Sequence, residues 1–559
     1  MRAFLAPFIV MTAIFFGVVS PGSAESADQL AIHLAYVNHV EVESVLEYSH
    51  PHVVTGEYSP VNPSAIDLGP TPVVLEVVDP TAVGESPFGF HPAGVFEPGY
   101  QDNGYLDAQS IGVRWTREGI YAFWFLVQPN LNQQVYDFTL YDRQWLAVPE
   151  GINILANIAP QGHLDEGRCL PGSWIPVDLA EYVAFVEATV ERYDGDGIGE
   201  GDFDGGVFQN PVKYWQVGNE PNERTTSGFA LLQQITYQAI KTSCPDCTVL
   251  IGGVAGFPEN YVAFFDTNFA PILNELAGQY MDVFDFHWYG SATGDYRLAD
   301  TVTGEDVYDH VRGTLVAAGF PADMPIWITE MGAYSGDPGP SPFPPFRNPP
   351  YQTERQQAGD YFKRFLFSLS RGVVKVFPAF GLMEGFKYDD GYFDHTGLIY
   401  DGEDFGNGAD PETGGDPGLG VKKLSYYTYK KMTEKLEGAD WTTLTMLHDG
   451  AGADWLYVFR VETPAGNIQI AWWDAFADET NSTSQTLILA GLTGTAMQVT
   501  SVIPEAAIGA EVNDFKHAFR TRIIPVVDGV AVVDLDEDPV LIEELQLPHP
   551  RRPAGRSRP

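Results

Sequence analysis

Two glutamates stand where apolar runs stop. YWQVGNEPNE (214–223) is a strand-like run that breaks at Asn219-Glu220-Pro221, and PIWITE (325–330) is another that ends in Glu330. Such a carboxylate is either a solvated strand end or a group kept for chemistry. Two opposed carboxyls suit cleavage of a glycosidic bond: one protonates the leaving oxygen, and the other attacks the anomeric carbon or activates water. A separation of about 5–5.5 Å gives retention of configuration, and about 6.5–9.5 Å gives inversion. The acid must stay protonated near neutral pH, which burial and a neighbouring carboxylate bring about. Pro221 is expected to hold Glu220 at extended backbone angles and so to fix where its carboxyl points.

The elements that would position these groups are legible as a pattern. Eight short apolar runs recur between residues 87 and 380: FGFH (88–91), IGVRWTR (111–117), INILANIA (152–159), VKYWQVG (212–218), TVLIGGV (248–254), VFDFHWY (283–289), PIWITE (325–330) and VVKVFPAF (373–380). Several are apolar nearly throughout, as strands buried on both faces of a parallel sheet are. Helical patterns lie between them, such as LAEYVAFVEATVERY (179–193), with Leu179, Val183, Phe185, Val186 and Val190 on one side. Eight strands with intervening helices predict an α/β fold, a (β/α)8 TIM barrel over residues 85–435. An open doubly wound sheet is the competing arrangement, but no glycine-rich phosphate loop follows the first strand. In the barrel, Glu220 ends strand four and Glu330 ends strand seven, on opposite sides of the mouth where barrel active sites sit. Long loops at 335–350 and 389–418 follow strands seven and eight and would shape that mouth.

After residue 438 the texture changes. WLYVFRVE (455–462), NIQIAWWD (467–474), SQTLILAGL (484–492), AMQVTSVI (496–503) and GVAVVDLD (529–536) are short strands with no helix between them. They predict a C-terminal antiparallel β-sandwich over 436–548. Residues 25–84 form an N-terminal β-prone segment, including TPVVLEVVD (71–79), and 549–559 a basic tail. Arg2, the apolar run FLAPFIVMTAIFFGVV and Gly22-Ser23-Ala24 read as a signal peptide over 1–24, short for a spanning helix. The chain is therefore expected to be secreted or periplasmic, with no membrane association once the signal is cleaved. Its 31 Lys and Arg against 75 Asp and Glu give a formal charge of −44, which disfavours nucleic acid and suits a neutral substrate.

These motifs resemble those of the clan A glycoside hydrolases, retaining enzymes on a (β/α)8 barrel, with a texture similar to families 39 and 5. WQVGNEP (215–221) matches the strand-four Asn-Glu-Pro motif, and WITEMG (327–332) the strand-seven glutamate motif. The resemblance implies Glu220 as acid/base, Glu330 as nucleophile, and Asn219 as a partner of the sugar 2-hydroxyl. FDFHWYG (284–290) matches the strand-six His-x-Tyr pattern, implying that Tyr289 bonds the nucleophile and that His287 lies beside the carboxylates. A structural role is a rival reading for His287. GVRWTRE (112–118) matches the strand-two arginine pattern and puts Arg117 next to Glu330, an arrangement that would keep Glu330 ionised while Glu220 has no such partner. Where members of the clan carry tryptophan at the end of strand eight, this chain has VFPAFGLME (376–384), so Phe380 is the replacement candidate. The implied substrate is a carbohydrate, cleaved without a cofactor. A carbohydrate-binding barrel without catalysis is the alternative, and a structural surface protein built around the sandwich is a third.

Other features carry weaker signals. Trp124, Trp288, Tyr334 and Phe380 are candidates to stack on sugar faces, with core packing as the rival reading. Trp215 and Trp327 are expected to fill the barrel. Glu384 follows strand eight and suits a substrate contact or a salt bridge better than a third catalytic role. The loop DGDGIGEGDFD (194–204) offers Asp194, Asp196, Asp202 and Asp204 to a structural calcium ion, but its spacing departs from the EF-hand, and a solvated acidic turn is the other reading. Cys244 and Cys247 in CPDC are expected to form a local disulfide or inert thiols, leaving Cys169 unpaired.

Overall fold

A computed structural model describes residues 53–54 and 85–546, apart from 96–99, 101–103, 163–165, 202, 204–207, 209, 222–224, 257–258, 291–294, 341–347, 386–390, 403–416, 451–454 and 475–483. The proposed signal peptide, nearly all of the β-prone segment, the basic tail, Asp202 and Asp204 lie outside the described residues, as do parts of both long loops.

Each of the eight apolar runs contains a strand: β1 (Gly89–Phe90), β2 (Trp115–Arg117), β3 (Asn153–Ala159), β4 (Tyr214–Val217), β5 (Thr248–Ile251), β6 (Phe284–His287), β7 (Ile326–Met331) and β8 (Val373–Pro378). β1 to β5 pair in parallel in sequence order, and so do β6 to β8. Parallel bridges Leu250↔Val283 and Val254↔Phe286 link β5 to β6, and Phe88↔Val376 and His91↔Ala379 link the ends of β8 and β1. Helices alternate with the strands, giving a TIM-barrel-like α/β domain: α1 (Tyr105–Ser110), α2 (Thr139–Trp145), α3 (Leu179–Tyr193), α4 (Phe229–Ser243), α5 (Tyr261–Asn268), α6 (Ala270–Leu276), α7 (Val307–Ala317), α8 (Glu354–Arg371) and α9 (Leu424–Leu436).

Local chemistry sets the helix ends. The Asp178 carboxylate accepts from the N–H groups of Ala180 and Glu181 at 3.0 and 3.1 Å and starts α3. Thr353 and Gln356 cap each other at the start of α8, and Gly372, at φ +102°, ends it.

Side chains alternate along each strand, and this divides the interior into layers. Trp115, Leu155, Leu250, Val283, Trp327 and Phe377 form one buried apolar cluster. The buried Lys375 ammonium lies 4.1 Å from the Trp115 ring centroid and binds Glu85 at 3.0 Å and the Ser86 carbonyl at 3.1 Å. Two residues further along the strands the layer turns polar, with Arg117, Asn157, Gln216 and Asp285 all buried. Trp327 fills the interior as expected. Trp215 does not: it packs outward against Trp145 of α2, with ring centroids 5.8 Å apart, because it is out of phase with Tyr214 and Gln216.

The C-terminal region is a six-stranded antiparallel sheet in the order β9-β10-β11-β16-β13-β14, with a separate two-stranded ladder, β12-β15. These strands are β9 (Asp440–Asp449), β10 (Leu456–Thr463), β11 (Gly466–Trp473), β12 (Gln485–Ala490), β13 (Ala496–Pro504), β14 (Phe519–Pro525), β15 (Val530–Leu535) and β16 (Val540–Leu545). Alternation again assigns the faces. Leu456 and Val458 pack with Val533 and Leu535 of the ladder, while Tyr457, Phe459 and Val461 join the core shared with the barrel helices. Trp472 reaches across to donate to the Tyr296 hydroxyl at 2.7 Å, and Lys363 of α8 pairs with Asp474 at 2.7 Å.

Cys244 and Cys247 form a disulfide just after α4, and Cys169 is buried and free. Among the described residues no helix is long and apolar enough to cross a membrane.

Candidate active site

Glu330 reaches the interior through an irregularity in its strand. Trp327 and Thr329 are the inward residues of β7, so strict alternation would turn Glu330 away. Ile328 pairs with Phe286 and Glu330 with His287, so two residues of β7 advance against one of β6. This register shift brings Glu330 into the interior, where it is 3% exposed. The Arg117 guanidinium donates from Nη1 to Glu330 Oε1 at 2.7 Å, and the Tyr289 hydroxyl donates to Oε2 at 2.7 Å. Arg117 is fully buried and uses its whole fork: Nε donates to Gln216 Oε1 at 2.7 Å and Nη2 to Asn219 Oδ1 at 2.5 Å.

Glu220 is placed by a turn. Past β4, Gly218 takes φ +70° and donates its N–H to Ile158 O at 2.9 Å. Glu220 itself takes φ +42° and donates its N–H to Gly253 O at 3.0 Å. The expectation of extended angles before Pro221 is therefore wrong. The hydrogen bond to the end of β5 overrides the local preference and holds a non-glycine residue in the left-handed region.

His287 joins the two carboxylates. Its Nδ1 is 2.6 Å from Glu220 Oε1 and 3.4 Å from Glu330 Oε2, and one oxygen of each glutamate and a His287 ring nitrogen lie within 4.8 Å of one another. Burial pushes the imidazole down to about 3, so it is neutral at pH 7. Gly253 makes room for it, since a Cβ there would lie 1.9 Å from His287 Nε2. Behind the histidine, Asp285 accepts from the N–H of Thr329 at 3.0 Å, from its hydroxyl at 2.6 Å, and from Gln216 Nε2.

Sequence reasoning missed four polar members of this layer: His91, Gln216, Asp285 and Thr329. Their shared signal is position, a polar residue in an apolar strand run on the inward phase or at its C-terminal end. His91 ends the first run. Its Nδ1 lies 2.7 Å from the Arg117 carbonyl and must donate to it, so Nε2 carries only a lone pair. That Nε2 is buried, has no hydrogen-bond partner among the described residues and lies 3.7 Å from Glu330 Oε1.

The aromatic candidates divide. Trp288 is 1% exposed and packs on Tyr261 with ring centroids 5.5 Å apart, and Trp124 and Tyr334 are also buried. None of these three presents a face to a sugar: each is packed into the interior, because nearness to a strand end does not set the side to which a ring points. Phe380 is only half-buried, with its ring 5.2 Å from His91 and 6.3 Å from Tyr289. Tyr121, over Arg117 at 5.2 Å, was not anticipated. Glu384 forms a salt bridge with the buried Lys423, which also donates to Ser335 at 2.8 Å.

Asp194 and Asp196 converge with Glu200, their oxygens within 4.8 Å of one another. Their carboxylates accept N–H groups of their own turn, from Asp196, Gly197 and Ile198. Glu220, His287 and Glu330 are close enough to share a cation, but Arg117 and Tyr289 already occupy both oxygens of Glu330, and the guanidinium opposes a second positive charge.

No protein-family model matches the sequence, and no curated protein matches it. Solved structures do share its fold. A family 39 glycoside hydrolase from the gut symbiont Bacteroides cellulosilyticus WH2 superposes with a TM-score of 0.55 and 16% identity, over 82% of this chain and 80% of that one. A glucosidase from Croceicoccus marinus gives a TM-score of 0.52 at 15% identity, over 82% and 96%. The wild-type BuGH86, solved with neoagarooctaose, gives 0.51 at 14% identity, over 82% and 76%. At such identities the likeness establishes the fold: a TIM-barrel-like domain with a C-terminal antiparallel sheet, as found in glycoside hydrolases.

Proposed function

We propose that the protein is a retaining β-glycoside hydrolase acting by double displacement on a polysaccharide, oligosaccharide or glycoside. We read the eight strands as a closed barrel, on the strength of the bridges that link β5 to β6 and β8 to β1. The observation that carries the functional reading is the approach of Glu220 and Glu330 across His287, an oxygen of each within 4.8 Å of the other. That closeness suits direct attack by a carboxylate and leaves little room for a water between them.

Glu330 attacks the anomeric carbon. Arg117 and Tyr289 hold one of its oxygens each, so the attacking atom is aimed and does not rotate. Glu220, less buried and set on its turn across the mouth, protonates the leaving oxygen and then takes a proton from the water that releases the sugar. Asn219 gives its carbonyl to Arg117, which turns its amide group toward the sugar 2-hydroxyl. His91 Nε2 accepts from another hydroxyl of the same ring, and Phe380 lines the wall beside it. The chemistry needs no cofactor. The N-terminal signal pattern and the Cys244–Cys247 disulfide support a location outside the cytoplasm.

The test is Glu330→Gly with and without azide. Cleavage of an activated aryl β-glycoside should vanish and return in part with azide, which attacks the anomeric carbon in place of the missing carboxylate, expels the phenolate and leaves the α-glycosyl azide. Full activity without azide would end the assignment.

A further inference from the structure

Behind the two glutamates runs a continuous chain of buried polar groups that the mechanism above does not use. Thr329 Oγ1 donates to Asp285 Oδ2 at 2.6 Å and lies 3.3 Å from His287 Nε2. His287 Nδ1 lies 2.6 Å from Glu220 Oε1. Asp285, Thr329 and His287 are each no more than 1% exposed, so bulk water does not reach them.

Donor and acceptor roles along this chain are linked. Asp285 takes three donors: the Thr329 N–H, the Thr329 hydroxyl and Gln216 Nε2. With its hydrogen given to Asp285, Thr329 Oγ1 can only accept from His287 Nε2–H. A neutral imidazole with hydrogen on Nε2 has a lone pair on Nδ1. The group facing that lone pair at 2.6 Å must donate, so Glu220 holds a proton on Oε1. The polarity fixed at Asp285 thus arrives at Glu220 as the acid form.

We propose that Asp285 is a positioning residue that keeps the proton on Glu220, acting through Thr329 and the tautomer of His287. Its consequence for catalysis rests on the assignment of Glu220 as acid/base. Reversing the chain moves one proton from Glu220 to Asp285. The Glu220 O–H bond breaks as His287 Nδ1–H forms; Nε2–H breaks as a Thr329 O–H forms; the original Thr329 O–H breaks as an Asp285 O–H forms. Net charge is unchanged, so the two carboxyls share one proton. The groups facing Asp285 are Arg117 from β2, Gln216 from β4, Glu330 and Thr329 from β7, Tyr261 from α5 and His287 on its own strand. Burial raises Asp285 to about 8 and so favours the reversed chain, with the proton on Asp285; the Thr329 hydrogen bonds and Arg117 oppose it, and the tautomer of His287 reports which end holds the proton.

The tautomer can be read without any substrate, from the ring nitrogen shifts of His287 in the full chain labelled with 15N-histidine, assigned with His287→Gln. The wild type and Thr329→Ser should carry hydrogen on Nε2. In Asp285→Asn the new amide donates to Thr329 Oγ1, the threonine hydroxyl turns to Nε2, and hydrogen should move to Nδ1. A wild-type Nδ1–H tautomer, or no change in Asp285→Asn with folding intact by near-UV circular dichroism, would overturn the proposal. The kinetic arm compares phenyl and 2,4-dinitrophenyl β-D-glucosides and β-D-xylosides. Asp285→Asn should lower kcat/KM about 100-fold on the phenyl glycosides, which need the acid, and less than about tenfold on the dinitrophenyl ones. Equal losses on both would show a structural role only. Failure of the wild type to cleave any glycoside would sink the proposed function and leave the tautomer result to stand on its own.

Discussion

Glu330 is paired with His287 across the β6–β7 ladder, although Ile328 is paired with Phe286 one step earlier. The shift puts an out-of-phase carboxylate against the histidine that contacts Glu220. Everything proposed about this site depends on that local break in alternation, which brings Glu330 within reach of Arg117, Tyr289 and His287 at once.

Arg117 should not be replaceable by lysine. Its three nitrogens bind Glu330, Gln216 and Asn219 in fixed directions, and an ammonium can satisfy only part of that set. Arg117→Lys is expected to lower kcat/KM by on the order of 100-fold or more, comparable to removing a positioned charge from a transition state. Steady-state kinetics on an aryl glycoside would show it, and near wild-type rates would mean that the fork is not needed.

Gly253→Ala is the sharpest steric test. The new Cβ would fall 1.9 Å from His287 Nε2 and 2.4 Å from its Cδ2, so the ring must move. A displaced ring breaks the contact with Glu220. Activity should fall by at least about 100-fold, with overpacking costing about 1–3 kcal/mol of stability in urea unfolding. Unchanged kinetics would place His287 elsewhere.

His91→Phe should weaken substrate binding more than turnover. The substitution keeps a ring against Phe380 and removes the Nε2 lone pair. KM is expected to rise roughly tenfold, the scale of one lost hydrogen bond to a neutral group. Deoxy glycosides should identify the hydroxyl concerned: the sugar lacking it should bind wild type and variant alike. If every deoxy sugar discriminates between the two, His91 acts only by packing.

Lys375 predicts an unusual pH dependence of stability. Burial lowers its ammonium from 10.5 to about 8, only partly offset by Glu85. Below about 8 both folded and unfolded chains carry the proton, and the folded one bears the cost of burying it. Between 8 and 10.5 the folded state releases the proton first, so stability rises with pH through that window. The gain is up to about 3 kcal/mol from this group alone. Urea unfolding of wild type and Lys375→Met at pH 7.5 and 10 isolates it, and an equal pH dependence in both would refute it.

The parts of this protein legible in its sequence share one physical basis: periodicity. Runs such as INILANIA and PIWITE alternate or stay apolar because strands of a parallel sheet are covered on both faces, so the sequence by itself determined the strand order, the alternating helices and the antiparallel C-terminal region. It also placed Glu220 just past strand four and Glu330 at the end of strand seven, while Arg117 and Tyr289 were put beside them by the resemblance to clan A enzymes and not by periodicity. Periodicity stops at the first irregularity. Nothing in WITEMG announces the register shift that turns Glu330 inward, and Pro221 argued for backbone angles that the bond from Glu220 to Gly253 overrides. Trp288, Trp124 and Tyr334 looked available to a sugar because one-dimensional nearness to a strand end does not reveal which face a ring takes. Gln216, Asp285 and Thr329 come from three different strands and His91 from just past a fourth, far apart along the chain, and only the curling of the sheet brings them together. Tertiary structure alone decided how the carboxylates are wired, because a hydrogen bond depends on the distance and direction between two atoms, and those are set by the packing of every strand around them.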